Sequence, residues 1–198
     1  MSTVLDRPAT AIDPLLGALE DAAGIAEPAV TPALDADDGT RTKELVIVSW
    51  SGELDRVWPT LILSSTAAAS GVRCRVFVTF WGLLPFVRDG RRITGDNWMQ
   101  KMLALMQRPG IDHVKLSKMN FLGMGPWMMR RLSRQYNVAS PRELLEAAQA
   151  LGVEFVPCQM TMDMLGLKRD DLIDGMGEPA GAATAIELMT GADASLFI

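Results

Sequence analysis

Three stretches of this chain are short, mostly aliphatic and rich in β-branched residues: Glu44–Trp50 (ELVIVSW), Val72–Phe80 (VRCRVFVTF) and Val153–Val156 (VEFV). A strand with one face in water alternates apolar and polar side chains. A near-continuous aliphatic run needs cover on both faces, which is the situation of a strand inside a parallel sheet. Helical segments separate these runs. Between the first two, Leu54, Val57, Trp58, Leu61, Ile62, Ser65 and Ala69 recur at helical spacing, with Gly71 as the stop and Pro59 close enough to the start for the regular helix to begin there. Before the third, Ser140-Pro141-Arg142-Glu143 combines a serine N-cap, a proline at the first helical position and a glutamate three residues after the cap. The helix it opens is expected to bury Leu144, Leu145, Ala148 and Leu151 and to end at Gly152. Strands alternating with helices imply a parallel sheet covered on both sides.

Two further strands complete an expected sheet of about five: Ile111–Ser117, and Ala194–Ile198 (ASLFI) after a helix over Ala182–Met189. Phe86–Asn97 is charged and glycine-bearing and reads as a surface loop. Trp98–Gln107 suits a short helix stopped by Pro109 and Gly110, and Lys168–Ile173 a brief amphipathic turn. Residues 1–42, rich in Ala, Pro, Asp and Thr, read as an extension outside the core formed by 43–198. Within the extension Asp13-Pro14 signals a helix start, and Leu15, Leu16, Leu19, Ala22 and Ala23 make one apolar stripe; EPAVTPALDADDGTRT then reads as linker.

Composition narrows the function. With 19 Lys and Arg against 24 Asp and Glu, the formal charge is −5, which leaves no electrostatic footprint for nucleic acid. The single histidine, His113, belongs to no Cys/His cluster, which argues against a protein-only zinc site, and no cofactor is called for. No apolar run reaches the length of a membrane span, the first residues lack a secretory h-region, and two cysteines do not make a disulfide framework, so a reduced, cytoplasmic protein is expected. Gly175–Gly181 is glycine-rich but follows no strand and lacks a Walker lysine, so it does not read as a phosphate loop.

Chemistry concentrates in VEFVPCQMTMDMLG, Val153–Gly166. Pro157 ends the strand, Cys158 follows, and Gln159–Leu167 reads as one or two helical turns closed by Gly166. The thiol therefore falls where a strand's carboxyl end meets a helix's amino end, the crevice in which open α/β sheets bind ligands. Unpaired N–H groups there favour a thiolate. The competing reading is a buried cysteine acting as a small hydrophobe. Around Cys158, Gln159 is placed to hydrogen-bond the sulfur, and Met160 and Thr161 line the site. Asp163 caps or orients the loop, because a carboxylate beside the thiol would oppose its ionisation. Thr79, Trp81 and Gly82 after the second strand, and Ser51 and Gly52 after the first, are candidates to line the same crevice. Cys74, in mid-strand between Arg73 and Arg75, reads as packing. MNFLGMGPWMM (Met119–Met129), followed by Arg130, Arg131 and Arg134, is a flap, a partner surface or packed core.

The run CQMTMDMLG, with GELDRVWPTLILSSTAAASG (Gly52–Gly71), VFVTFWGL (Val76–Leu83), FLGMGPWMM and GAATAIELM, resembles the DsrE/DsrF-like sulfur-relay family, in particular its soluble, peroxiredoxin-labelled DsrE-type branch. The resemblance covers the chain from about Glu44 onward. It implies a three-layer α/β/α domain and assembly into a homotrimer or larger ring. It also implies a cysteine, Cys158 here, that carries sulfane sulfur as a persulfide between TusA-like or rhodanese-like partners. The amino-terminal extension, and Leu165 where methionine is common, depart from the family pattern.

Because no second cysteine shares the crevice, a sulfurtransferase acting as a persulfide carrier is favoured over a disulfide oxidoreductase or self-contained peroxidase. A non-catalytic assembly subunit with a structural Cys158 is the alternative. A nucleotide or flavin binder using the Ser49–Gly52 turn is a third, weakened by the missing fingerprint glycines.

Overall fold

The computed structural model describes residues 41–89, 109–118 and 123–198. The expected helix over 13–25, the linker after it, the helix over Trp98–Gln107 and all but the start of the Phe86–Asn97 loop lie outside those residues.

In the unit Thr42–Ile198 four strands form one sheet: β1 (Glu44–Ser49), β2 (Arg73–Val78), β3 (Glu154–Pro157) and β4 (Ala194–Phe197). Their order is β3-β2-β1-β4 and every pairing is parallel, with Ile47 opposite both Val76 and Leu196, and Phe77 opposite Val156. The helices are α1 (Leu54–Ala69), α2 (Met124–Gln135), α3 (Pro141–Ala150), α4 (Gln159–Leu165) and α5 (Ala182–Gly191).

Alternation along the strands sorts the core into two layers. Ile47, Val76, Val78 and Phe155 face Leu54, Val57, Trp58 and Leu61 of α1 and Leu145 and Ala148 of α3. Val48, Phe77, Val156 and Cys158 face the other way, onto Ala185 of α5. Among the described residues, α1 and α3 together with Met162 and Leu165 of α4 pack on one side, and α5 on the other. At the amino ends of the strands the α5 face carries charge: Arg75 on β2 lies 3.1 Å from Glu44 on β1 and 3.3 Å from Glu154 on β3.

Among the described residues the sheet has four strands, not five. Ile111–His113 is a 3₁₀ turn entered through Gly110 at φ 108°. Its buried residues, Ile111 and Val114, are three apart, whereas a strand would bury every second residue. The segment ties to α1 instead, where the Leu54 N–H donates to the Lys115 carbonyl at 2.7 Å and Ser117 bonds the Asp55 carboxylate. Pro59 does not delay α1, which begins at Leu54 with the proline inside it. α3 has the expected capping box.

The Met119–Met129 segment also differs from the core reading. From Met124 it is helix α2, entered through Gly123 in the left-handed region, and only Gly125 and Pro126 of that helix are buried. Gly175–Gly181 acquires a structural role that composition hid. Gly177 N–H donates to the Phe155 carbonyl, Ala180 N–H to the Pro157 carbonyl, and the Ala180 carbonyl accepts from Gln159 N–H, so this segment runs beside β3 and covers its open edge.

Candidate functional site

Pro157 ends β3 and Cys158 is the N-cap residue of α4. Neighbours on both sides hold the cysteine's backbone: Cys158 N–H donates to Val78 O at 2.9 Å, and its carbonyl accepts from Met162 N–H at 3.0 Å, the first bond of the helix. The sulfur closes no cap hydrogen bond, and the Met160 and Thr161 N–H groups of the first turn lie beside it and favour its anion.

Two threonines complete the surroundings. Thr79, leaving β2, and Thr161, in the first turn of α4, bring their hydroxyl oxygens within 3.1 Å of each other, and Phe80 N–H donates to Thr161 Oγ1 at 3.0 Å. Each hydroxyl carries one proton. Whichever threonine donates to the other, one hydroxyl proton is left for a further acceptor. Burial pushes the Cys158 thiol up; the hydroxyls of Thr161 and Thr79 and the N–H groups of Thr161 and Met160 outweigh it and hold the pKa below the ordinary thiol value. Cys74 has burial without donors and is pushed up to about 11. Both cysteines are free thiols.

The thiol is deep as well as acidic. Cys158 is 3% exposed and Thr161 is fully buried, while Met160 in the same turn is 62% exposed and Phe80 across from it 44%. Phe80 holds φ at +49°, a conformation that costs a non-glycine residue about 1 kcal/mol or more. With that geometry its N–H meets Thr161 and its ring stays at the surface. Gln159 does not reach for the sulfur: its amide donates to Asp163 Oδ1 at 2.7 Å, one helical turn on, so these two residues form an exposed pair.

The remaining predicted residues do not join this group. Ser51, Gly52 and Trp81 line a separate cleft of about 380 Å³ beyond the carboxyl end of β1, with Trp50, Glu53, Leu84 and the segment His113–Leu116. Gly82 sits between the two places: a Cβ there would lie 2.3 Å from Ser49 O, and its N–H donates to the Trp50 carbonyl, so the loops after β1 and β2 meet only because it lacks a side chain. Phe80 and Ala180, which position Thr161 and Gln159, escaped sequence reasoning. Their contributions come from backbone N–H and C=O groups, which leave no residue-type signal. Among the described residues no group of three or more His, Cys, Asp or Glu could hold a metal ion, and no helix is long and apolar enough to cross a membrane.

The chain is thus a parallel α/β/α sandwich with a free cysteine at a strand-to-helix junction. The sequence matches the DsrE/DsrF/DrsH-like family over residues 41–197, and the chain belongs to that family. It is 36% identical over 158 residues to the uncharacterized protein YrkE of Bacillus subtilis, covering 80% of this chain and 98% of that one. It is 35% identical over 159 residues to the sulfur carrier protein DsrE2 of Allochromatium vinosum, covering 79% and 98%. Among solved structures it is similar to the YchN protein of E. coli, at 15% identity and a TM-score of 0.48, covering 80% of this chain and all of that one.

Proposed function

We propose that this chain is a sulfurtransferase of the persulfide-carrier type, with Cys158 as the sulfur-bearing residue. The observation that carries the reading is the placement of Cys158 at the end of β3 as the N-cap residue of α4, beside the paired Thr79 and Thr161 hydroxyls, surroundings that lower its pKa. Membership of a sulfur-relay family and 35% identity to a protein named a sulfur carrier support it.

Loading consists of attack by the Cys158 thiolate on the outer sulfur of a donor persulfide R–S–SH. The new Cys158 S–S bond forms, the donor S–S bond breaks, and the R–S⁻ leaving group is protonated, with no net oxidation. Release runs the same exchange with an acceptor thiolate attacking the terminal sulfur. The donors that hold the thiolate also hold the charge that returns to Cys158 when it departs as leaving group. Protein partners of the TusA-like or rhodanese-like kind would supply and accept the sulfur, in a cytoplasmic setting that keeps Cys74 and Cys158 reduced. Cys158 is 3% exposed, so exchange requires its cover to part. Assembly into a homotrimer or larger ring accompanies this reading, and the uniformly exposed β4 edge leaves a surface for it.

The experiment is intact-mass measurement after incubation with polysulfide, on the wild type and Cys158→Ser. The expected result is an added sulfur atom on the wild type that dithiothreitol removes and the variant lacks. The burial of Cys158 favours one competing reading, a non-catalytic assembly subunit with a structural thiol. An unloaded wild type, or an adduct that survives Cys158→Ser, would establish that reading instead.

A further inference from the structure

The cleft beyond the carboxyl end of β1 plays no part in the thiol chemistry. We propose that it is a second, independent ligand site, for a small planar aromatic molecule bearing one anionic group.

Its position is the first argument. β1 leads through α1 to β2 on one side, while β4, arriving from α5 on the opposite face, pairs with β1 on the other, so the crossovers diverge at β1. Ligands of open α/β sheets bind outside the carboxyl ends of strands at such a divergence. At about 380 Å³, the cleft is also within the size range of small-molecule sites.

Its walls are the second argument. Gly52 lets the backbones at the cleft close in: a Cβ on it would lie 2.4 Å from Trp81 O. The walls include two indoles, Trp50 and Trp81, and the aliphatic Leu84, Val114 and Leu116. Arg56 lies 5.3 Å from the centre of the Trp50 ring. A flat apolar body matches such walls.

Charge is the third. Of the nearby acids, Asp89 and Asp112 pair with Arg142 at 2.8 and 2.5 Å, while Glu53, on the cleft wall, lies 3.9 Å from Arg56 and accepts from Ser51 Oγ at 3.3 Å. Lys115 and His113, both exposed on the cleft, have no carboxylate partner among the described residues. The helix end does not supply the anion site. Leu54 N–H bonds Lys115 O, Arg56 and Val57 N–H bond Glu53 O, and the Asp55 backbone bonds its own carboxylate. The anion therefore depends on the Lys115 ammonium and the His113 imidazole, and the ring on the two indoles.

The test is calorimetric titration of the full chain with adenosine monophosphate, indole-3-acetate, adenosine and inorganic phosphate. Adenosine monophosphate or indole-3-acetate is expected to bind saturably; which one binds more tightly separates a nucleotide source from an aromatic acid. Adenosine should bind about 5-fold to 10-fold more weakly than its monophosphate, and phosphate alone should give no heat. Lys115→Ala should weaken binding by about 5-fold or more and flatten its salt dependence, Trp50→Ala should weaken it similarly, and Cys158→Ser should leave it unchanged. Absence of binding by both aromatic anions overturns the proposal, as does binding that is indifferent to Lys115 and Trp50. Loss of binding in Cys158→Ser would place the ligand at the thiol and overturn it too, while success or failure of persulfide loading bears only on Cys158.

Discussion

Cys158 and Cys74 are both nearly inaccessible, yet burial acts on them with opposite outcomes because only one has donors. Lowering a thiol pKa in the folded state adds stability that is present above the unfolded-state value and lost as pH falls through the folded one. The stability difference between wild type and Cys158→Ser is therefore expected to grow as pH rises toward the free-thiol value of about 8.5 and to level off beyond it. For Cys74 the sign reverses. Its folded pKa is raised from 9.0 to about 11, so stability present below the unfolded-state value is lost as pH climbs through that window, by about 3 kcal/mol at the upper end. Cys74→Ala should remove this alkaline slope in urea unfolding measured at successive pH values. A third expectation concerns Thr161. Thr161→Val removes the hydroxyl and leaves Phe80 N–H without its acceptor, which costs about 1–3 kcal/mol. It should also move the pH midpoint of Cys158 alkylation by iodoacetamide upward. An unchanged midpoint would show that the hydroxyls do not govern the thiol.

At the scale of elements, two local devices carry measurable weight. The capping box of α3 has Ser140 N–H donating to Glu143 Oε2 at 2.7 Å and Glu143 N–H donating to Ser140 Oγ at 3.3 Å. Ser140→Ala is expected to lower stability by about 1 kcal/mol, read as a fall in Tm, without altering thiol reactivity, because α3 packs remote from Cys158. Arg75 binds three strands through Glu44 and Glu154, and its side chain and that of Glu44 are largely withdrawn from water. Arg75→Met strands two carboxylates, one of them half in solvent, and should cost about 1–3 kcal/mol in urea unfolding, partly recovered by adding Glu44→Gln. Full additivity of the two substitutions would show that the charges are not coupled. The α3 box was legible in the sequence because it lies within four consecutive residues. The fate of Ile111–Ser117 was not, because a run of that composition suits strand or turn until the Lys115 carbonyl finds the end of α1.

At the scale of the whole molecule, among the described residues α5 buries only Ala185 and β4 is exposed along its length. An open, apolar edge strand is a pairing surface that proteins normally guard. The chain is therefore expected to sediment as a homo-oligomer at micromolar concentration, and Leu196→Lys in β4 to shift it toward monomer; a wild type that is monomeric throughout would remove the assembly proposal.

What the amino-acid order determined by itself is everything with a short-range cause. The aliphatic runs required a doubly covered parallel sheet, the caps and glycines bounded the helices, and Pro157-Cys158 put a thiol at a strand-to-helix junction. Only tertiary structure decided which residues share that junction. Thr79 and Thr161, 82 positions apart, meet at that junction, whereas Ser51, Gly52 and Trp81 belong to another cleft. The physical reason is that strand order and backbone hydrogen bonding set these distances. Val78 O, Phe80 N–H and Ala180 O act through groups every residue possesses, so no choice of side chain announces them.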